Sequence, residues 1–345
     1  MAAQTAPRER LTRREFLQSA GLGLAGMALP ALRVPLTDFP ALQLGRVAES
    51  SADIYPEPFF SSEKAGAFFH DDVFPIRAAV IGDSIPEHNR VWYEVAGHGF
   101  VHSSPVQPVR DERNTPAETI PEAGLLAEVT VPYVDVWRMA SEQSYRAYRY
   151  YYKATFWIRG VERESDARSW YRIWDDLREV DYYAPADAFR LLPPDELTPI
   201  SPEVPLEQKR VEVDLAHQWV KCYEGTELVF TTKISSGWRY ASGYYLTPVG
   251  DFQTYRKRHS RHMAGGNLAT GYDLPGVPWV AYINNRGISF HGTYWHNDFG
   301  RPRSHGCINM APDAAKWFQR WSQPALPAET QEVRVDYGTR VRIQA

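Results

Sequence analysis

Two neighbouring motifs decide the fold of the last part of this chain: His291-Gly292-Thr293 and, one loop later, Ser304-His305-Gly306-Cys307-Ile308-Asn309. They bring a thiol, two imidazoles and a glycine turn into one short segment. The chain has only 2 cysteines among its 345 residues. A cysteine placed between a glycine and the strand-like Ile308-Asn309-Met310 therefore predicts a reactive side chain.

The reactivity of Cys307 depends on a base. A cysteine thiol ionises with a pKa of about 8.5, and a nearby histidine raises its thiolate fraction at neutral pH. His305 lies two residues before Cys307 and would share its face on an extended segment. His291 ends a predicted strand over 287–291, and a base is commonly delivered from a neighbouring strand. Gly306 allows a turn in which successive N–H groups face one point, as an oxyanion hole requires.

The two motifs resemble the signature of the L,D-transpeptidase catalytic domain, the YkuD-like family. That signature is a His-Gly-Thr strand end, a loop, and Ser-His-Gly-Cys followed by Ile or Val and Asn or Arg. The resemblance implies that Cys307 is the nucleophile, that His291 is the general base and that the Gly292 carbonyl orients the imidazole. It also implies that backbone N–H groups of His305, Gly306 and Cys307 stabilise the oxyanion.

Contacts with substrate are predicted for five further side chains. Trp295 and Asn309 match positions that line the substrate cleft in the family that this segment resembles, and Ser304 is included as a third candidate. Met263 and Tyr272 are predicted to belong to a lid over the acyl site, because the glycine-rich segment between them could move.

Three other interpretations of these residues stay open. Cys307 could be a buried structural thiol, or it could form a disulfide with Cys222. A zinc site is the sharpest rival, because ligands are plentiful here: His259, His262, His291, His296, His305 and Cys307. Neither a Cys-x-x-Cys nor a His-Glu-x-x-His spacing is present, however. His259 and His262 lie in an arginine- and lysine-rich run, which predicts a solvated loop.

The amino-terminal segment predicts the compartment. Thr12-Arg13-Arg14-Glu15-Phe16-Leu17 is a twin-arginine pattern, and a glycine-containing apolar run follows over 20–32. The run is too short to span a bilayer stably, so residues 1–32 are predicted to be an export signal. The protein would reach the periplasm or cell wall, tethered to the membrane if the signal is not cleaved. An ordinary amphipathic helix is the alternative.

The middle of the chain is predicted to be a tether followed by a β-rich region. Residues 33–70 contain four prolines and predict a linker. Residues 71–195 contain an internal echo, in which Val91-Trp92-Tyr93-Glu94-Val95 has a counterpart in Ser169-Trp170-Tyr171-Arg172-Ile173. Each copy lies between further strands and turns. The pattern resembles bacterial SH3-like domains, small β-barrels that often bind cell-wall peptides or glycan.

A catalytic domain is predicted over 207–345, after the proline-rich segment 193–205. Alternating apolar residues predict a first strand over 210–215, and Glu224-Gly225 predicts the turn of the hairpin that follows. The spacing of apolar residues predicts one short helix over 312–321. The fold class is therefore mainly β, a β-sandwich with a short helix preceded by small SH3-like barrels.

Composition and resemblance together predict an enzyme of the cell wall. A net charge of −4 argues against nucleic acid as a partner. The resemblance implies a transferase that cross-links peptidoglycan stem peptides through a cysteine acyl-enzyme, with no metal or organic cofactor. Two alternatives remain: an L,D-carboxypeptidase that uses water as acceptor, and a non-catalytic cell-wall binding protein in which the SH3-like repeats bind the wall.

Overall fold

The protein is mainly β and is built from three units that follow one another along the chain. The computed structural model describes residues 43–163, 168–240, 243–266 and 271–345, and the backbone of 32–34. The predicted export signal therefore lies outside the described residues, apart from Leu32. No helix in the described part of the chain is long and apolar enough to cross a membrane.

The first β unit is an eight-stranded sheet in the order β4-β3-β7-β6-β5-β2-β8, with β1 paired to β5. Its strands are β1 Leu32–Val34, β2 Gln43–Val47, β3 Ser51–Tyr55, β4 Gly66–Phe69, β5 Val73–Ile81, β6 Val91–Val95, β7 Gly99–His102 and β8 Val106–Val109. The prediction of a linker over 33–70 is wrong over its described part, because β2, β3 and β4 belong to this sheet. They are four- or five-residue pieces among prolines and polar residues, and so have too few alternating positions to be recognised.

The second β unit repeats the topology of the first. Its seven strands are β9 Leu125–Val129, β10 Tyr133–Trp137, β11 Arg146–Tyr151, β12 Thr155–Arg163, β13 Ser169–Asp175, β14 Val180–Pro185 and β15 Phe189–Leu191. They are ordered β11-β10-β14-β13-β12-β9-β15. Replacing each number by the one seven lower gives the order of the first sheet. The predicted echo corresponds to β6 and β13, where Trp92 and Trp170 are both fully buried.

The third unit is a sandwich of two five-stranded sheets, with strand orders β18-β17-β16-β27-β21 and β25-β24-β23-β22-β26. Its elements are β16 Lys209–Asp214, β17 Trp219–Glu224, β18 Glu227–Lys233, β19 Arg239–Tyr240, β20 Gly243–Tyr244, β21 Gly250–Gln253, β22 Arg256–Gly265, β23 Tyr272–Tyr282, β24 Ser289–Gly292, β25 Ile308–Met310, α1 Pro312–Trp321, β26 Glu332–Arg334 and β27 Arg340–Gln344. The hairpin turn at Gly225 and helix α1 confirm the predictions for those elements.

One hydrophobic core joins the two sheets and the helix of this sandwich. Val211 and Val220 come from one sheet, Phe290 and Ile308 from the other, and Phe318 from α1. Phe290 and Ile308 alternate with the polar residues beside them on β24 and β25. The apolar side chains therefore anchor these strands in the core, and the alternate positions carry the polar residues of the site.

The buried tryptophan of the repeat generates a stability prediction. Trp92→Ala removes a fully buried indole from the first unit, which should lower the free energy of unfolding by about 3–5 kcal/mol. Trp238→Ala is the matched control: 48% of this residue is exposed, and a loss of at most about 0.5 kcal/mol is expected. Chemical denaturation followed by circular dichroism measures both, and equal losses would contradict the packing described here.

Candidate active site

The thiol and the imidazole are placed by two adjacent parallel strands. Strand β24 pairs with β25 so that His291 faces Asn309 in register. The same register, continued two residues towards the amino terminus, brings Ser289 beside Cys307, and Ser289 Oγ lies 3.6 Å from Cys307 Sγ. Side chains two residues apart on a strand share a face. Cys307 and His291 therefore lie on the same face of neighbouring strands.

Cys307 lies at the edge of this face, partly exposed, immediately before β25. Its Sγ is 3.6 Å from the Gly287 carbonyl oxygen as well as from Ser289 Oγ. Burial raises the pKa of the Cys307 thiol, and the hydrogen bonds that Ser289 offers to the thiolate oppose this effect only in part. The resting thiol is therefore protonated at neutral pH.

His291 is buried, with 3% of its surface exposed. Its Nδ1 lies 3.0 Å from the Gly292 carbonyl oxygen. A carbonyl can only accept, so Nδ1 carries the proton and Nε2 is left with a free lone pair. Burial lowers the pKa of His291 to about 4, although the Gly292 hydrogen bond acts in the opposite direction. The imidazole is therefore neutral at physiological pH and is able to accept a proton.

His305, the second candidate base, lies in an aromatic cluster. Its ring stacks on Tyr240 at 4.7 Å between centroids and contacts the rings of Tyr245 at 4.6 Å and Tyr272 at 5.3 Å. Burial lowers its pKa. Burial raises the pKa of Tyr272, and the negative charge of an ionised Cys307 acts in the same direction. The four rings form one aromatic cluster around His305, two residues before Cys307.

The turn before the thiol is held by internal hydrogen bonds. Gly306 has a φ of +109°, and its N–H donates to Ser304 Oγ at 3.1 Å. Ser304 Oγ in turn donates to the Cys307 carbonyl oxygen. The Gly306 N–H predicted for the oxyanion hole is therefore already engaged, which leaves the N–H groups of His305 and Cys307 as the candidate donors. Ser304, expected to bind substrate, is buried and shapes this turn.

Two more predicted substrate residues have structural partners instead. Asn309 is 2% exposed, and its amide lies 3.1 Å from His296 Nε2. Met263 packs with its strand against the small cluster that contains Val280. Trp295 is partly exposed, and its ring lies 5.7 Å from that of His291. Trp295 also packs against the cluster that holds Met263. Among the five predicted substrate residues, Trp295 is therefore placed beside the catalytic base and Tyr272 beside His305.

The histidines proposed as zinc ligands are engaged elsewhere. His259 and His262 lie on β22, so the predicted solvated loop is wrong. His259 Nδ1 is 3.1 Å from Gln319 Oε1. His262 Nδ1 is 2.7 Å from Asp175 Oδ2 in the second β unit. Within the described ranges, no three His, Cys, Asp or Glu side chains converge as a metal site would require.

Cys222, proposed as a disulfide partner, is separated from the site. Both cysteines carry free thiols. Cys222 is fully buried in the sandwich core, among Val211, Val220 and their neighbours. Burial raises its pKa far above the ordinary value, so this thiol is unreactive in the folded protein.

Two residues at the site were missed by sequence reasoning. Ser289 was read only as part of a strand, although its position two residues before His291 on the same face signals a polar neighbour for the thiol. Thr247 is the second of these residues. Its Oγ1 accepts from the Gly237 N–H and donates to the Gly306 carbonyl oxygen, at 2.8 Å each. Nothing local to Thr247 indicates a contact with a turn fifty-nine residues away.

Part of the chain is similar to one family of known proteins. A family model, the YkuD L,D-transpeptidase catalytic domain, matches residues 208–343. No curated protein matches the chain. Among solved structures, the avibactam carbamoyl enzyme of Ldtfm is 27% identical, with 40% of this chain and 49% of that chain covered and a TM-score of 0.32.

Two further structures illustrate the similarity. A cysteine-to-serine mutant of the Enterococcus faecium L,D-transpeptidase is 26% identical, covering 40% of this chain and 50% of its own, with a TM-score of 0.32. An L,D-transpeptidase from Mycobacterium smegmatis is 18% identical, covering 54% of this chain and 98% of its own, with a TM-score of 0.33. The present chain spans about half the length of the Ldtfm and Enterococcus faecium chains. The family match and the motif it contains establish that residues 208–343 are an L,D-transpeptidase catalytic domain of the YkuD family.

Proposed function

We propose that this protein is an exported L,D-transpeptidase that cross-links peptidoglycan stem peptides through an acyl-enzyme on Cys307. The observation that carries the proposal is the register of β24 and β25, which sets Cys307 and the buried, neutral His291 on one face. The family match supports the reaction class. The substrate and the cross-linking step are part of the proposal.

The first half of the reaction forms the acyl-enzyme. Cys307 Sγ attacks the carbonyl carbon at the L-centre of the stem's diamino acid while its proton passes to His291 Nε2. The Gly292 carbonyl oxygen, 3.0 Å from Nδ1, stabilises the imidazolium that forms. The N–H groups of His305 and Cys307 face the developing oxyanion, where one such donor is worth about 2.7–4 kcal/mol. D-Alanine leaves with the proton from His291.

The second half transfers the acyl group. The side-chain amine of a neighbouring stem attacks the thioester carbonyl and loses a proton to His291. The peptide bond forms as the C–S bond breaks, and the proton returns to the sulfur. The free enzyme is restored without any change of oxidation state. No step needs a metal or an organic cofactor, since the thiol, the imidazole and backbone amides supply the chemistry.

The proposed site of action is the cell wall. The twin-arginine pattern of Arg13 and Arg14 supports export to the periplasm or wall, with membrane tethering if the segment stays uncleaved. The resemblance of the sequence pattern over 71–195 to SH3-like domains supports a role in holding the enzyme on the wall, by binding peptide or glycan.

A tetrapeptide stem ending in D-alanine tests the reaction. Incubated with the full chain, it should give an intact-mass adduct equal to the stem less D-alanine. Cys307→Ala should give no adduct while still binding sacculi. His291→Ala should lower the rate of adduct formation by about 10²- to 10⁴-fold, because the proton acceptor is lost.

The products separate the remaining alternatives. With an amine acceptor present, a cross-linked dimer supports transpeptidation, whereas release of the tripeptide alone identifies an L,D-carboxypeptidase. A protein that binds sacculi yet forms no adduct with the stem or with ertapenem would be a wall-binding protein. Ertapenem is a suitable second probe because it acylates the Enterococcus faecium catalytic domain.

The protonation states generate a pH prediction. Burial raises the pKa of Cys307 and lowers that of His291 to about 4, so neither group is charged at neutral pH. The rate of Cys307 alkylation by iodoacetamide should therefore keep rising beyond pH 8.5 or so, the ordinary thiol pKa. Intact mass spectrometry across pH 5 to about 10 measures this profile.

Two variants accompany the alkylation profile. Ser289→Ala removes a hydrogen bond that favours the thiolate, so its profile should move to higher pH. Cys307→Ala should abolish labelling, because Cys222 is buried. A plateau that begins below pH 6 or so would indicate a preformed thiolate–imidazolium pair and contradict the neutral resting state.

A further inference from the structure

The loop between the two catalytic motifs, residues 294–303, is held by the first β unit. The Asn297 N–H donates to the Ser104 carbonyl oxygen at 3.1 Å. Arg303 donates to Glu49 at 2.6 Å. Arg46, 1% exposed, donates to the Tyr294 carbonyl oxygen at 2.8 Å. These contacts join segments about two hundred residues apart in the chain, so they hold only while the first unit is docked.

Asp298 lies at the centre of the contacts between residues 294–303 and the first β unit, which we call the junction. Its residue is 2% exposed, and Oδ1 accepts hydrogen bonds from His88 Nε2 and Ser104 Oγ, both at 2.8 Å. Oδ2 accepts from Arg303 at 3.1 Å and pairs with Arg301. Burial alone would raise the pKa of Asp298, but these donors outweigh it and hold the pKa well below its usual range. The carboxylate is therefore charged, and two of its four donors come from the first β unit.

The junction continues to the catalytic base through two buried side chains. The Asp298 N–H donates to His296 Nδ1 at 3.2 Å. Burial lowers the pKa of His296 to about 3, so the ring is neutral and carries its proton on Nε2. That proton faces the Asn309 amide at 3.1 Å, which assigns the amide oxygen to this contact. Asn309 is the register partner of His291.

We propose that Asp298 is a positioning residue through which His88 and Ser104 of the first β unit hold the catalytic loop in its reactive arrangement. The inference rests on the proposed function. It means that full catalytic activity requires residues of the first β unit in addition to residues 208–343. The loop connects His291 to Cys307, so a shift of Asp298 can reach both residues. It reaches His291 through His296 and Asn309. It reaches the turn before the Cys307 thiol through Arg303.

The second β unit provides the contrast. Although its strand order matches that of the first, it docks on β22, where Asp176 pairs with Arg258 and Arg261. The described contacts of Asp298 include none from the second unit. Holding Asp298 is therefore a role of His88 and Ser104 in the first unit, and it does not follow from the strand order that the two units share.

Full-chain variants test the proposal by the rate of Cys307 acylation. Ser104→Ala removes one donor to Asp298, and Asp298→Asn removes the charge. Misplacing reacting groups by about 1 Å can cost roughly 100-fold, so we expect reductions of about 3- to 10-fold and about 10- to 100-fold in kcat, respectively. KM should change little, because Ser104 and Asp298 bond to each other and to His88 and are not among the side chains described around Cys307.

Two further variants give the controls. Ser104→Thr keeps the hydroxyl, and Ser104 lines a cavity of about 270 Å³ that offers room for the added methyl group, so the rate should stay close to wild type. Ser144→Ala removes a hydroxyl that accepts from the Met139 N–H in the second unit, and its rate should be unchanged. Wild-type acylation rates in folded Ser104→Ala and Asp298→Asn would overturn the proposal. If Asp298→Asn does not fold, Ser104→Ala alone decides.

Amide hydrogen exchange separates this proposal from the proposed function. Residues 294–303 should exchange faster in Ser104→Ala than in the wild type, and no faster in Ser144→Ala. A wild-type protein that forms no acyl-enzyme would refute the proposed function. Unchanged exchange over 294–303 in Ser104→Ala would refute the positioning role, whatever the activity of the wild type.

Discussion

The parallel pairing of β24 with β25 is the constraint on which the active site depends. Because side chains alternate along a strand, a slip of one residue would send Cys307 to the opposite face from His291 and leave a thiol without its base. Phe290 and Ile308 oppose such a slip, since both are fully buried in the core between the two sheets. The hydrophobic effect thus sets the register, and the register sets the chemistry.

Parallel pairing also explains why the two motifs are separated. Parallel neighbours need a crossover connection of about a dozen residues or more, whereas antiparallel neighbours can be joined by two. The segment from Thr293 to Cys307 is this connection. A long irregular segment carries backbone groups that must be satisfied. Part of that requirement is met from outside the catalytic sandwich, where Arg46 donates to the Tyr294 carbonyl oxygen and the Ser104 carbonyl oxygen accepts from the Asn297 N–H.

Burial raises the pKa of the Cys307 thiol and lowers the pKa of the His291 imidazole, and both shifts favour the uncharged form. The neutral thiol and the neutral imidazole are the stable forms at rest, so proton transfer accompanies attack. The enclosed setting that imposes this state also strengthens each hydrogen bond to a developing charge. The hydrogen bonds strengthened in this way are those of Ser289 to the Cys307 thiolate and of the His291 imidazolium to the Gly292 carbonyl oxygen.

The two β units show how one topology acquires different docking surfaces. Their strand orders correspond strand for strand, and each buries a tryptophan at the same place in its Trp-Tyr strand. The polar residues at their edges differ. His88 and Ser104 face the catalytic loop, while Asp175 and Asp176 face the arginine- and histidine-containing strand β22. Topology was repeated, and interface chemistry was not.

Features that depend on local pattern can be predicted from the amino-acid sequence alone. These are the two motifs around His291 and Cys307, the helix over 312–321, the hairpin at Gly225 and the repeated Trp-Tyr strand. Each can be read locally because periodicity and turn chemistry act over a few residues. The short strands between residues 43 and 69 were missed because four or five residues show too few alternating positions to be recognised.

Which polar residues are buried, and what they contact, depends on the tertiary structure. Ser304 and Asn309 looked like cleft residues, yet one closes a turn and the other bonds His296. His262 looked solvated until a carboxylate eighty-seven residues away was placed beside it. A buried polar group is stable only with a partner, and distant segments of the chain supply those partners. These distant partners cannot be predicted from the local sequence pattern.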